Sequence, residues 1–194
     1  MTEQNIIVKY VPNFVTLLSL SSGFTSISFS LNKEWEIAIY LILLATVFDF
    51  FDGWFARKLK SGSNFGAELD SLSDFVSFGV APSVLIYLWS TNSLGSLGWG
   101  ATLFFVICSS LRLARFTADI YITNKPIDDN EYFVGIPSPA AAGLVLLPLF
   151  IFFEFNKKFI KNEYLNLFST IFVGFMMISK IPTLSLKKIN INQK

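Results

Sequence analysis

The sequence predicts an all-α integral membrane protein, a single membrane domain over residues 1–194 with six transmembrane helices. Three observations carry this. Hydrophobic residues make up 53% of the chain and charged residues 15%, with a mean hydropathy of +0.55, which is less charge than a soluble domain of this length carries. The apolar residues come in runs long enough to cross a bilayer core. Prolines, glycines and short polar turns separate those runs. A net charge of +1 gives no footing for a nucleic acid. The single Cys108 has no partner for an intramolecular disulfide. The chain has no histidine, so no mechanism can use an imidazole as base, nucleophile or metal ligand. The start MTEQNIIVKYVPN lacks a basic opening and a small-residue cleavage site, so the first apolar segment is expected to stay in the mature protein.

The spans follow in order from run length and flanking breakers. The first is expected from Phe14 to Leu31, opened by Pro12-Asn13, and the second from Trp35 to Ala56. The third runs from Phe65 to Trp89 and ends at the turn-rich TNSLGSLG. The fourth runs from Trp99 to Phe116, the fifth from Pro137 to Phe155 and the sixth from Tyr164 to Ser179. Thr117 to Tyr132 forms the longest polar connection, in which Asp128, Asp129 and Glu131 read as a solvated loop. Trp35, Trp89 and Trp99 lie near span ends, as interfacial anchors do. Six spans put both termini on one side. With the N-terminus inside, 11 of the 15 Lys and Arg residues, Lys60 and Lys125 among them, fall inside and 4 outside, the orientation the positive-inside rule favours.

Within this apolar chain the stretch Asp49 to Gly79 carries four aspartates. At roughly 100° per residue, Asp49, Asp52, Gly53, Ala56 and Arg57 share one side of the second span, and Phe50, Phe51, Trp54 and Phe55 the other. On the third span Gly66, Asp70, Ser73, Asp74, Ser77 and Ala81 share a face, with Leu72, Phe75 and Val76 pointing away. The short linker KLKSGSN lets the two acidic faces meet. A carboxylate at mid-bilayer costs roughly 2.5–3.5 kcal/mol, so four together need countercharge. Oxygen ligands suit a hard cation such as Mg²⁺ or Mn²⁺, and two such ions balance four aspartates. Acids buried merely to fix helix packing would need basic partners, and only Arg57, Lys58 and Lys60 lie nearby in sequence. Gly53 and Ala56 leave room beside the helix backbone, and Arg57 offers a fork suited to phosphate. Together these residues point to a pyrophosphate-bearing substrate and phosphoryl transfer.

Asp49, Asp52, Gly53, Ala56, Arg57, Gly66, Asp70 and Asp74 satisfy the pattern D-x2-D-G-x2-A-R-x8-G-x3-D-x3-D, which resembles the signature of the CDP-alcohol phosphatidyltransferase family. The resemblance implies a six-helix membrane fold around a cytoplasm-facing polar cavity, a homodimer, and a two-metal site that displaces CMP from a CDP-linked lipid. It implies that Asp49, Asp52, Asp70 and Asp74 ligate metal and that Asp74 also acts as general base. By the same resemblance Gly53 and Arg57 hold the CDP diphosphate, Ser63 contacts the nucleotide, and Asn13 and Thr16 line the nucleotide pocket. The blocks VPNFVTLLSLSSGF, ELDSLSDFVSFGVAPS, LRLARF and FVGIPSPAAAG are similar to the phosphatidylserine synthase branch. That branch implies CDP-diacylglycerol and L-serine as substrates in a bacterial cytoplasmic membrane, with termini and active site on the cytoplasmic side. Two positions depart from it: Ser22 and Thr117 stand where Asn is common.

Arg57, Arg112 and Arg115 are the only arginines among fifteen basic residues. Arg112 and Arg115 sit one turn apart near the inner end of the fourth span, and we expect them to bind an anion, the serine carboxylate or the lipid phosphate. Pro137, Pro139 and the Ala140 to Gly143 run are expected to let the fifth span pack closely. Three rival readings remain at this point: the same chemistry on glycerol 3-phosphate or an inositol phosphate, a membrane prenyltransferase, and an intramembrane cation transporter. The prenyltransferase lacks a reason for DG-x2-AR, and the transporter leaves Gly53, Arg57 and Ser63 unexplained.

Overall fold

A computed structural model describes residues 3–59, 63–123, 133–155, 158–179 and 182–183. The expectations for Lys60, Lys125, Asp128, Asp129 and Glu131 lie outside the described residues. The chain runs α1 (Glu3–Leu31), α2 (Trp35–Lys58), α3 (Asn64–Asp74), a π-helical segment (Phe75–Val80), α4 (Ala81–Trp89), a 3-10 turn (Thr91–Leu94), α5 (Ser96–Thr123), β1 (Phe133–Val134), α6 (Ser138–Phe155), a 3-10 turn (Lys158–Lys161), α7 (Glu163–Ile178) and β2 (Pro182–Thr183). Among the described residues five stretches are long and apolar enough to span a bilayer: Tyr10–Leu31, Trp35–Lys58, Asn64–Trp89, Ser96–Ala118 and Ser138–Phe155. The sixth, α7, has 16 residues, or about 24 Å at 1.5 Å per residue, short of a hydrocarbon core of about 30 Å. This is an all-α integral membrane protein, and large side chains such as Phe24, Tyr40, Phe50, Phe168 and Phe175 stand exposed on its outer faces, as lipid contact requires.

α1 and α2 form an antiparallel pair joined by two hydroxyl rungs. Ser19 Oγ donates to the Ala45 carbonyl and Ser26 Oγ to the Ala38 carbonyl, both at 2.9 Å. Both alanines are fully buried, and their small side chains permit that approach. The turn between the helices closes on Lys33 at φ +63°. Lys33 N–H donates to Ser30 O and Glu34 N–H to Phe29 O, the paired bonds that end a helix on a left-handed residue.

α1 also holds the third span. Ser73 Oγ donates to Thr16 O and Ser77 Oγ to Ser19 O, each at 3.2 Å. One turn beyond Ser19, Gly23 faces Ser77 so closely that a Cβ would collide with it. On the opposite side Phe78, Leu85, Ile86, Phe105, Leu146, Leu149 and Met177 build the apolar core.

Several expectations change. Pro12-Asn13 does not open the first helix, because α1 runs through Pro12 from Glu3; an interior proline forfeits a single backbone donor. The third span is not one uniform α-helix, since six residues after Asp74 form a π segment. α5 continues to Thr123, into the connection expected to be a loop. Trp89 is no interfacial anchor: it is buried, packed edge-on against Phe152. Ala141 and Ala142 pack fully, whereas Ala140 and Gly143 face outwards. The two-residue pairing of β1 with β2 had no sequence signal.

The start of α7 is tied to the end of α4 by a polar knot. Asn162 caps α7 by accepting from the Tyr164 and Leu165 amides. Buried Asn166 donates to Ser90 Oγ at 2.7 Å and to Ile160 O at 3.2 Å, joining α7 to the turn after α4.

Because Gly23 has no space for a side chain, Gly23→Ala is expected to destabilise the protein by about 1–3 kcal/mol through overpacking. Gly143→Ala, with open space around the added methyl, should leave the melting temperature of detergent-solubilised protein unchanged. Equal melting of the two variants would show that α1 and the third span are not closely seated.

Candidate active site

The last turns of α2 carry Asp49 and Asp52, and α3 carries Asp70 and Asp74. The two helices bring these faces together. Asp49, Asp70 and Asp74 each present a carboxylate oxygen within 4.8 Å of the others. The Asp49 and Asp74 carboxyl groups lie within hydrogen-bonding reach of each other. Asp52 stands beside this trio, 5% exposed, next to Thr16 and in the electrostatic field of Asp49, Asp70 and Arg57. Among the described residues its Oδ2 is buried without a hydrogen-bond partner. The donor set is therefore all carboxylate oxygen, three groups converging and a fourth with an unsatisfied buried atom beside them. That is the chemistry a hard divalent cation requires, and these residues fit one. The aromatic side of α2 points away, with Phe50, Phe51 and Trp54 exposed.

The residues expected around a nucleotide collect at the N-terminus of α3. Ser63 is its N-cap and accepts from the Gly66 amide at 3.0 Å. Gly66 brings Asn13 of α1 against the same turn, since a Cβ there would lie 3.1 Å from Asn13 Oδ1 and 3.2 Å from Ser63 Oγ. Thr16 is buried one turn along α1 and donates to Pro12 O at 3.1 Å. On α2, Gly53 leaves space that the Arg57 guanidinium approaches, with Nη1 3.3 Å from where a Cβ would stand. Ala56 is half-buried on the same turn.

Arg112 and Arg115 meet different neighbours. Arg112 turns inwards, donating from Nη1 to Ser138 Oγ at 2.7 Å and lying in the field of Asp74. Arg115 is exposed and reaches Ile178 O at the end of α7, at 3.5 Å, where a cation suits the helix dipole. Ser138 and the Ser71–Thr117 hydroxyl pair, 3.1 Å apart, were missed by sequence reasoning. Ser138 lies in a segment read as packing, and no linear spacing connects it to Arg112. Thr117 stood out as a departure, and its hydroxyl links α5 to α3 beside Asp70.

A CDP-alcohol phosphatidyltransferase family model matches residues 9–182, nearly the whole chain. The chain belongs to the CDP-alcohol phosphatidyltransferase family. It is 37% identical over 175 residues to a CDP-diacylglycerol–serine O-phosphatidyltransferase of Mycobacterium leprae, covering 90% of this chain and 58% of that protein. It is 35% identical over 183 residues to the enzyme of that name from Helicobacter pylori, covering 94% and 75%. A Bacillus subtilis protein of the same name is 34% identical over 181 residues, covering 93% of each chain. The chain thus spans a little under two thirds of the mycobacterial relatives it matches and nearly all of the Bacillus one. CDP-alcohol phosphatidyltransferases generally depend on divalent metal, in keeping with the acid cluster.

The two arginines separate in a stability measurement. Arg112→Ala strands the fully buried Ser138 hydroxyl and is expected to cost about 1–3 kcal/mol. Arg115→Ala removes a solvent-exposed helix-end contact and should cost at most about 1 kcal/mol. Thermal unfolding in detergent reads both; the reverse order would contradict the inward placement of Arg112.

Proposed function

We propose that this protein transfers the phosphatidyl group of CDP-diacylglycerol to the hydroxyl of L-serine, forming phosphatidylserine and CMP. The convergence of Asp49, Asp70 and Asp74, with Asp52 beside them, is the observation that carries the reading. The names of its relatives support serine as acceptor. In this reading Asp49, Asp52, Asp70 and Asp74 hold two divalent cations, Mg²⁺ or Mn²⁺. Bound there, such ions would supply positive charge to the diphosphate and to the departing CMP.

The chain's own groups do the rest. Gly53 keeps the α2 backbone open to the diphosphate, and Arg57 places its guanidinium against it. Ala56, Ser63, Asn13 and Thr16 shape the nucleotide side. Asp74 takes the proton of the serine hydroxyl. The serine oxygen forms a bond to the phosphorus that carries diacylglycerol, and the bond from that phosphorus to the CMP oxygen breaks, with the electron pair leaving on CMP. Arg112 supplies a cation near Asp74 for an anionic reactant.

We place the protein in a bacterial cytoplasmic membrane, and the excess of basic residues expected on one side, 11 against 4, supports both termini and the cavity facing the cytoplasm. We assign a homodimer as the working assembly, with CDP-diacylglycerol drawn from the surrounding membrane lipids. Exposed apolar helix faces are compatible with both lipid and a second copy.

Purified protein given CDP-diacylglycerol, Mg²⁺ or Mn²⁺ and a panel of alcohols is expected to release CMP with L-serine and not with glycerol 3-phosphate or an inositol phosphate. CMP release with another acceptor would replace serine, and no release with any acceptor would leave cation transport as the rival. Asp74→Asn should lower turnover by about 10²-fold or more.

Metal binding has its own readout. Cation at about 100 times its dissociation constant should stabilise the fold by about 2.7 kcal/mol. Chelation should reverse that gain and Asp70→Asn abolish it, as followed by thermal unfolding. A melting temperature indifferent to metal and chelator would count against the cation site.

A further inference from the structure

The turn between α1 and α2 opens into a cavity of about 280 Å³, lined by Lys33, Glu34, Trp35, Glu36, Ile37 and Phe153. It lies at the opposite end of α2 from the acid cluster, with Asp52 about 25 Å further along the helix at 1.5 Å per residue. Lys33, Glu34 and Glu36 are exposed. Among the described residues none of the three makes an ion pair or a side-chain hydrogen bond. A lysine offers donors and no acceptor, a carboxylate acceptors and no donor. The cavity thus presents both kinds of charge, and they have not neutralised each other. Its volume is near the lower limit for ligand sites, about 300–1,000 Å³, which suits a small polar group.

The depth of the cavity says where such a group comes from. The first span ends at Leu31, the second starts at Trp35 and the fifth ends at Phe155, so the cavity sits at the level of lipid headgroups. Trp35 packs against the apolar core and brings an indole to that level, where tryptophan is favoured. From the cavity an apolar track runs down the outside of α2. Ile37, Tyr40, Leu44 and Val47 follow one another at helical spacing, and all are exposed. A free solute has no use for that track, whereas acyl chains do. One lysine against two glutamates disfavours an anionic headgroup. A zwitterion is matched, its phosphate to Lys33 and its ammonium to Glu34 and Glu36.

We propose that this cavity binds the headgroup of an ethanolamine-type phospholipid in the leaflet opposite the acid cluster, with its chains along Ile37, Tyr40, Leu44 and Val47. The lipid braces the α1–α2 turn, the far end of the helix pair that frames the acids, without touching them.

The test follows thermal unfolding of the full-length protein in phosphatidylcholine nanodiscs as phosphatidylethanolamine is added. Phosphatidylcholine carries the same phosphate, but its ammonium has no N–H to donate. Phosphatidylethanolamine is expected to raise the melting temperature saturably. Lys33→Gln and Glu36→Gln should each weaken its apparent affinity about five-fold, as loss of one exposed charge contact does. Lys161→Gln removes a lysine beyond the end of α6, outside the cavity lining, and should leave that affinity unchanged. In phosphatidylcholine alone Lys33→Gln and Glu36→Gln should melt with the wild type, which shows that they fold. Glycerophosphoethanolamine, the headgroup without chains, should give no shift.

No saturable rise in the wild type overturns the proposal, as does a rise of undiminished affinity in both cavity variants. A larger rise with phosphatidylglycerol, lost in Lys33→Gln alone, would make the cavity a site for anionic lipid. An equal shift with glycerophosphoethanolamine would make it a site for a soluble zwitterion. Either result overturns the ethanolamine lipid. None of these readouts involves turnover, so they stand apart from the phosphatidyl-transfer reading.

Discussion

Asp49, Asp70 and Asp74 are brought within 4.8 Å of one another against their own mutual repulsion. Beyond the Asp49–Asp74 carboxyl contact, it is the surrounding frame that imposes the approach. α1 supplies that frame. It lies against both α2 and the third span and grips each through serine hydroxyls bonded to backbone carbonyls: Ser19 and Ser26 on its own surface, Ser73 and Ser77 from the other side. Hydroxyls this short add little bulk and pay for their burial with a hydrogen bond. The result is a seam narrow enough to hold the two acidic faces together.

The remaining structure divides along that seam. Away from it, α4, α5, α6 and α7 enclose an apolar core that needs no polar partner. Beside the acids, the polar groups answer specific neighbours: Ser63 the Gly66 amide, Thr117 the Ser71 hydroxyl, Ser138 the Arg112 guanidinium. At the far end the Asn166–Ser90 pair draws the short α7 onto the turn after α4. A helix too short to cross the core by itself is thereby held by protein contacts at its N-terminal end.

Much of this was legible in the sequence because membrane helices obey a strong length rule and because the acids repeat at helical spacing. The span positions came from apolar run length, and the opposition of α2 and α3 from the faces that Asp49, Asp52, Asp70 and Asp74 share. Other features depend on contacts between residues far apart in the chain. Proline at position 12 is ordinarily a place to stop a helix, and only the packing of α1 shows that it continues. Trp89 has the composition of an interfacial anchor, and only Phe152 reveals that it is core. Arg112 and Arg115 look equivalent on a helical wheel. They differ because Ser138 lies within reach of one and the end of α7 within reach of the other.

The π segment from Phe75 to Val80 lies directly below Asp74. Widening a helix there inserts one residue without lengthening the axis by a full step, and so resets the angular phase between the two halves of the third span. The acid-bearing half and the greasy half can then each satisfy its own neighbours, as two shafts do when a coupling between them is clocked by a tooth. Insertions and deletions in those six residues should be far less tolerated over the history of this chain than substitutions are. Losing one residue would unclock the shafts and swing the carboxylates away from their opposing partners.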